Sequence, residues 1–230
     1  MNNAPPIVRC RGDKKKEELK NIYTIKPLTH IKLLNGQERT CCCGDKINKD
    51  NTDSECYIFS CKSKNDVSQS EFTFFVGMQC ANNIINISGL KTLPLFDPLI
   101  NDDCGYDDGK NKNNSRQTNS SSGKTTWEPL NKELYKAINI LILAWNLDER
   151  KIAKYKIINQ ILTYLYINPS KRTQDWAIEK INEMIGKDKK GRTTISKMLD
   201  SLEPGKTKEI EFTELKKFMD NKKNLKNNFI

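Results

Sequence analysis

The sequence lacks any apolar run long enough to cross a membrane. Its longest uninterrupted apolar stretch, residues 140–145, is far shorter than the roughly 20 residues that a membrane-spanning helix needs. The opening stretch MNNAPPIVRCRGDKKKEELK has no apolar segment after its charges, so it lacks the form of a secretory signal. We therefore expect a cytoplasmic protein with no membrane partner.

Histidine is almost absent, and this weakens the case for an enzyme. His30 is the single histidine, and it stands among apolar neighbours in LTHIKLLNG. We interpret it as a structural side chain, although an imidazole can also replace a cysteine as a metal ligand. A lone histidine provides no His-based catalytic apparatus, so binding is favoured over catalysis.

Positive charge is present in excess and lies mostly in the C-terminal part. The formal net charge is +10, and residues 150–230 contain 19 lysines and arginines against 10 acidic residues. Such an imbalance suits an anionic partner, of which nucleic acid is the commonest. A general abundance of Lys, Asn and Ile accounts for part of this excess.

A polar segment divides the chain into two parts. Residues 102–126 read DDCGYDDGKNKNNSRQTNSSSGKTT, which offers too little apolar surface to offset the entropy of ordering it. We predict a disordered linker there. The predicted organisation is an N-terminal extension (1–36), a cysteine-bearing module (37–101), the linker (102–126), a helical domain (127–222) and a basic tail (223–230).

Helical periodicity dominates the part after the linker. Apolar residues recur at helical spacing over residues 129–146, with Thr125 and Glu128 placed as a capping box. A second helix begins after Asp148 and ends before Pro169, and a third runs from Thr173 to a C-terminal cap at Gly186. Two shorter helices are predicted at residues 194–202 and 213–220.

The part before the linker predicts a hairpin followed by a short helix. CYIFSCK (56–62) and EFTFFVG (71–77) are rich in aromatic and branched residues and are joined by a polar segment. MQCANNIINISGL follows at once, and we expect a helix of two to three turns that starts near Cys80 and stops at Gly89.

Three consecutive cysteines, in QERTCCCGDKI, are the clearest chemical signal. Cysteines in a reducing compartment commonly bind metal, and zinc sites take pairs of them from tight turns that contain glycine. Cys43 precedes Gly44, and Cys41 faces the same way as Cys43 in an extended chain. Cys42 faces the other way, so we assign it either a packing role or that of an alternate ligand.

The remaining ligands come from further along the chain. Cys80 lies near the start of the predicted short helix, where the helix dipole favours a thiolate. Cys56 and Cys61 are both on the first predicted strand and face opposite sides of it, so one of them supplies the fourth ligand. We favour Cys56 and keep Cys61 in reserve, and we interpret Cys10 and Cys104 as free thiols.

This knuckle, hairpin and helix-borne cysteine resemble treble-clef and zinc-ribbon-like modules. The resemblance covers residues 40–89 and rests on CCCG and VGMQC. It implies a structural Zn²⁺ ion, and modules of this kind mostly bind nucleic acid or other proteins. The sequence departs from the usual pattern because its knuckle is Cys-x-Cys-Gly and its helix carries one cysteine.

Two other groups of residues suggest contact with nucleic acid. GKDKKGRTT contains four basic residues and lies between two predicted helices. These two helices resemble a helix-turn-helix only loosely. Trp176, further upstream, is interpreted as a core residue. Acidic residues and a lysine suitable for a metal-dependent nuclease lie in FDPLINDDCGYDDGK. The first group is Lys187, Lys189, Lys190 and Arg192; the second is Asp97, Asp108 and Lys110.

The sequence therefore predicts an α+β protein: a small zinc-stapled hairpin-plus-helix module followed by a separate all-α helical domain. The favoured function is that of a non-catalytic, zinc-binding accessory or regulatory protein associated with DNA or RNA. The alternatives are a protein-interaction adaptor, as in a bacterial or phage-derived system, and a metal-dependent nuclease.

Overall fold

The structure is a computed structural model that describes residues 9–51, 54–66, 68, 70–100, 126–222 and 225–230. It has mixed α and β content, with a sheet in the N-terminal part and helices after it, as predicted. The predicted linker lies outside the described residues except for Thr126. The elements, in chain order, are α1 (Asp13–Ile22), β1 (Tyr23–Lys32), β2 (Arg39–Thr40), β3 (Lys46–Ile47), a 3₁₀ turn (Lys49–Asn51), β4 (Glu55–Ser63), β5 (Phe72–Gly77), α2 (Met78–Ser88), β6 (Leu95–Phe96), α3 (Pro129–Ala144), α4 (Glu149–Lys154), α5 (Lys156–Ile167), α6 (Asp175–Gly186), α7 (Ile195–Asp200) and α8 (Thr213–Asp220).

The main sheet has four strands in the order β5-β4-β1-β6. β4 and β5 pair antiparallel, which confirms the predicted hairpin, and β1 pairs antiparallel with β4 and parallel with β6. α2 follows β5 directly and ends at Gly89, whose φ of 61° is the left-handed conformation that glycine adopts easily. The short helix is thus confirmed, with its start at Met78.

β1 is a central strand formed by residues that sequence analysis assigns to an N-terminal extension. Its sequence contains Pro27, which has no N–H to donate and usually argues against a central strand. The register against β4 shifts between Pro27 and Thr29, so the proline lies at a bulge. The predicted extension therefore contains the middle of the sheet.

The predicted helices occur with three local differences. The second is divided into α4 and α5 at Tyr155, whose ψ of 65° is not helical. The third begins after Gln174, and its last residue, Gly186, is not a left-handed cap. A Cβ atom on Gly186 would lie 2.6 Å from Nδ2 of Asn228, so close packing is what this glycine permits. Trp176, predicted to be core, is 46% exposed.

α3 is buried nearly all round, and this joins the helices to the sheet. Of its 16 residues, 12 are buried, as expected for a helix covered on several sides. Tyr135 lies 3.0 Å from Oγ1 of Thr29 on β1, and Gln37 donates to the carbonyl of Leu143 over 2.9 Å. Buried residues of the sheet and of the helices form one hydrophobic cluster. This corrects the prediction of a separate helical domain.

The end of the chain also packs onto the helices. Phe229 is only 2% exposed, and the amide of Asn228 donates to Oδ1 of Asn182 over 2.8 Å. Asn228 and Phe229, which belong to the segment predicted to be a basic tail, are thus buried against the helices. Among the helices within the described ranges, none combines the length and the apolarity needed to span a membrane.

Candidate metal centre

The cysteine triplet forms a tight turn between β2 and β3. Cys41 donates its N–H to the carbonyl of Asp45 over 2.8 Å, and Gly44 donates to the carbonyl of Cys41 over 2.8 Å. Gly44 has a φ of 96°, which a residue with a Cβ adopts only with strain. Cys42 donates to the carbonyl of Phe75 over 3.1 Å, which attaches the turn to the free edge of β5.

Cys80 reaches the same place from α2. β5 runs into α2 without a loop, so Cys80 lies in the first turn of the helix, where the dipole favours negative charge on sulfur. The amide of Gly77, just before the helix, donates to Sγ of Cys41 over 3.3 Å. One short segment therefore supplies both a thiol and a donor that stabilises another thiolate.

Three sulfur atoms converge at this point. The Sγ atoms of Cys41, Cys42 and Cys80 all lie within 4.8 Å of one another, and those of Cys41 and Cys42 are 4.0 Å apart. A tetrahedral zinc site with Zn–S bonds of about 2.3 Å separates its sulfur atoms by roughly 3.8 Å. The cluster can therefore hold a metal ion after small side-chain movements.

Cys43 lies at the outer side of the cluster and is half-buried. Its thiol interacts with the thiols of both Cys41 and Cys80, and its Sγ lies 3.3 Å from a carboxylate oxygen of Asp45. Cys43 thus adjoins two of the three converging sulfur atoms.

Cys10 is an additional neighbour that sequence analysis treats as a free thiol. It is only 1% exposed, its amide donates to the carbonyl of Cys42 over 2.9 Å, and its thiol interacts with that of Cys42. It is separated from the triplet by α1, β1 and the loop that follows β1, and no spacing motif signals their approach. The pairing of β1 with β4 and the packing of α1 on α2 place the two segments side by side.

The surroundings favour a thiolate on Cys41. A hydrogen bond from the Cys42 thiol, together with the amides of Cys43 and Gly77, lowers the pKa of Cys41 to about 5 despite its burial. Burial raises the pKa of Cys43 to about 12. Burial and the neighbouring Cys41 raise the pKa of Cys80, and the positive charge of the buried Lys16 opposes part of that rise.

Cys56 and Cys61 lie outside this group of three. Both are 0% exposed on β4, and burial raises the pKa of each thiol above its ordinary value. The group of three contains Cys42 and not Cys56. The sequence predicts the reverse, with Cys56 as a ligand and Cys42 as a packing residue or alternate ligand.

His30 is a structural side chain in the sheet. Its ring stacks on Tyr57 at 4.2 Å between centroids, and its Nδ1 lies 3.2 Å from the carbonyl oxygen of Leu93. Burial lowers the pKa of His30 to about 4, so the ring is neutral at pH 7.

The residues considered for a nuclease do not form a site within the described ranges. Asp97 makes an ion pair of 2.8 Å with Lys32 and accepts the amide of Leu99 over 2.9 Å. Its carboxylate therefore has structural partners. Asp108 and Lys110 lie outside the described residues.

The basic turn between α6 and α7 presents only part of its charge to solvent. Arg192 is turned inward, with an ion pair of 3.1 Å to Asp188 and a hydrogen bond of 2.8 Å to the carbonyl of Ala144. Lys187 pairs with Glu183 on the preceding helical turn. Lys189 and Lys190 are both exposed.

Comparison with known proteins gives a family and no closer relative. No curated protein and no solved structure matches the chain. The profile of one family, described as Uncharacterised conserved protein UCP028583, matches residues 8–221, which include the sheet, the cysteine cluster and the helices up to α8. Because that match covers most of the sequence, the chain belongs to this family.

Proposed function

We propose that Cys41, Cys42 and Cys80 bind a structural Zn²⁺ ion, with Cys43 as the fourth ligand. The convergence of three Sγ atoms within 4.8 Å is the observation that carries this proposal. Cys43 is chosen because its thiol adjoins both Cys41 and Cys80, whereas Cys10 adjoins Cys42.

The chemistry of the donors supports zinc and a structural role. A tetrahedral set of four cysteine thiolates is typical of zinc or of iron–sulfur sites. Four protein ligands leave no open position for a water molecule, so such a centre does not generate a hydroxide nucleophile. Four thiolates around Zn²⁺ carry a net charge of −2, and the buried Lys16 beside them offsets part of it.

A zinc ion in this position links elements that are distant in the sequence. It joins the turn between β2 and β3 to the first turn of α2. A glycine-containing turn, a hairpin and a ligand on the following helix also make up a treble-clef-like module. The proposed centre differs from that module because its ligands include three consecutive cysteines and because its sheet shares a core with the helices.

We propose that the protein is a non-catalytic accessory or regulatory protein associated with nucleic acid. The net charge of +10 and the concentration of that charge in the C-terminal part support an anionic partner. Each phosphate that a lysine neutralises releases a counterion, so affinity should fall steeply with salt.

Metal analysis by mass spectrometry tests the zinc centre. We expect about one zinc ion per chain in protein purified without chelators. Cys80→Ala should lose the metal, while Cys61→Ala, which removes a buried thiol outside the group, should keep it. Comparison of Cys43→Ala with Cys10→Ala identifies the fourth ligand. Metal-free wild-type protein, or zinc retained in full by Cys80→Ala, would overturn the proposal.

Gel shifts with DNA and RNA over a salt series test the second part. Salt-dependent binding is the expected result. Affinity that is absent at low salt, or that does not change with salt, contradicts association with nucleic acid. Co-purification of one protein partner after nuclease treatment would then favour an adaptor.

A further inference from the structure

Two aromatic rings meet at the surface where α3, α4 and α5 come together. The rings of Trp145 and Tyr155 have centroids 5.4 Å apart and are tilted by 41°. Tyr155 is 39% exposed and stands at the junction of α4 and α5. Trp145, at the end of α3, packs against Tyr155, and its Nε1–H donates to Oδ1 of Asp188 over 2.7 Å.

Exposed basic residues lie on both sides of these rings. In the α4–α5 segment and the turn after α6, five exposed basic residues form no ion pair with the described residues, whereas Lys151 and Lys187 in the same two places are paired with acidic neighbours. Three of the five are next to Tyr155 in the α4–α5 segment, and two follow Asp188 in the turn after α6. These five are Arg150, Lys154, Lys156, Lys189 and Lys190.

Asp188 and Arg192 hold the turn in place against Trp145. Asp188 accepts the amides of Lys190 over 3.1 Å and of Arg192 over 3.0 Å, besides the indole of Trp145. Burial opposes ionisation of this carboxylate, but its hydrogen bonds to Arg192 outweigh that effect and keep its pKa below the usual value. The two exposed lysines of the turn are therefore carried on a fixed loop beside the rings.

We propose that this surface, the aromatic–basic corner, binds single-stranded nucleic acid. Its members are Tyr155, Arg150, Lys154, Lys156, Lys189 and Lys190. The inference rests on the nucleic-acid function proposed above, and it narrows that function to one place and one kind of strand.

The exposed ring of Tyr155 favours single-stranded over double-stranded nucleic acid as the ligand. An unpaired base can stack on Tyr155, whereas the faces of a paired base are covered by its neighbours in the duplex. The lysines on either side are suited to the phosphates that flank such a base. Arg192, predicted from the sequence to contact phosphate, instead positions the loop.

Fluorescence anisotropy with a labelled oligothymidylate of about 16 nucleotides tests the corner, and a duplex of equal length is the comparison. We expect tighter binding of the single strand. Stacking on an aromatic side chain contributes about 1–3 kcal/mol per base, so Tyr155→Ala should weaken binding by roughly 5-fold to 150-fold. Tyr155→Phe keeps the stacking face and should bind like the wild type.

A double variant tests the charges. Lys154→Gln with Lys189→Gln should lower the slope of log affinity against log salt by about 1.4, since each lost phosphate contact contributes about 0.7 on a single strand. Lys208→Gln with Lys216→Gln removes the same charge from exposed positions elsewhere in the C-terminal part and should leave the slope unchanged. Circular dichroism melting confirms that each variant is folded.

The controls separate the inference from the function on which it rests. Wild-type protein that binds neither strand overturns both. Binding that persists in Tyr155→Ala, or that is lost in Trp176→Ala instead, overturns the corner and leaves the association with nucleic acid standing. Trp176 suits this comparison because it is an exposed aromatic residue at the opposite end of α6. Preference for the duplex also overturns the corner.

Discussion

The buried hydroxyl of Tyr135 should be a critical link between the sheet and the helices. It donates to the carbonyl of Pro94 over 3.1 Å and accepts the amide of His30 over 2.9 Å. Tyr135→Phe keeps the ring and removes these bonds, which leaves two buried backbone groups without this partner. Each such group costs about 1–3 kcal/mol, so we expect the free energy of unfolding to fall by about 2–4 kcal/mol after partial relaxation.

Urea denaturation measures this loss and tests the shared core at the same time. The three tryptophans all lie in the helical part, so their fluorescence follows the helices, while far-UV circular dichroism follows both parts. One core predicts coincident transitions with both probes, and the variant should shift both together. Separate transitions in the wild type would refute the shared core.

Tyr164→Phe is the matched control. It makes the same chemical change on a half-buried residue whose hydroxyl bonds to the carbonyl of Arg172 over 3.2 Å. Water can replace that bond, so we expect a loss of no more than about 0.5 kcal/mol. If Tyr135→Phe costs as little as Tyr164→Phe, the reasoning about the buried link is refuted.

Two further changes test the neutral histidine and the docked C-terminal segment. His30 has a pKa of about 4 in the folded state and about 6.5 when unfolded, so between these values only the unfolded chain takes up the proton and stability falls with falling pH. His30→Phe should remove up to about 1.4 kcal/mol per pH unit from that slope in urea titrations; an unchanged slope would show that the ring does not titrate as described. Gly186→Ala places a methyl group against Asn228 and should destabilise the protein by about 1–3 kcal/mol, while an unchanged melting temperature would mean that the segment moves away freely.

Local structure was largely predictable because its causes are close together in the sequence. Alternating aromatic and branched residues predict β4 and β5, Gly89 ends α2, and apolar periodicity locates α3. The convergence of Cys41 and Cys80 was also predictable from the sequence. A glycine-containing cysteine turn and a cysteine at a helix start are both local features.

Other features of the site depend on contacts that no local pattern records. Pro27 argues against a central strand at β1, and the bulge in β1 is what allows a proline in the middle of the sheet. Cys10 contacts Cys42 because β1, which lies between them in the sequence, pairs with β4 of the hairpin. The set of neighbouring thiols therefore follows from strand order and not from spacing.

The sequence by itself determined most of the helices and the strands β4 and β5, that cysteine is concentrated near the turn, and that the chain carries excess positive charge. Periodicity and composition act over a few residues, so they can be read without knowing the fold. The tertiary structure alone decided that α3 is covered on several sides, that Arg192 turns inward to Asp188, and that Tyr155 is left exposed beside unpaired lysines. These outcomes depend on which surfaces remain uncovered after the sheet and helices have packed together, and packing joins residues that lie far apart in the chain.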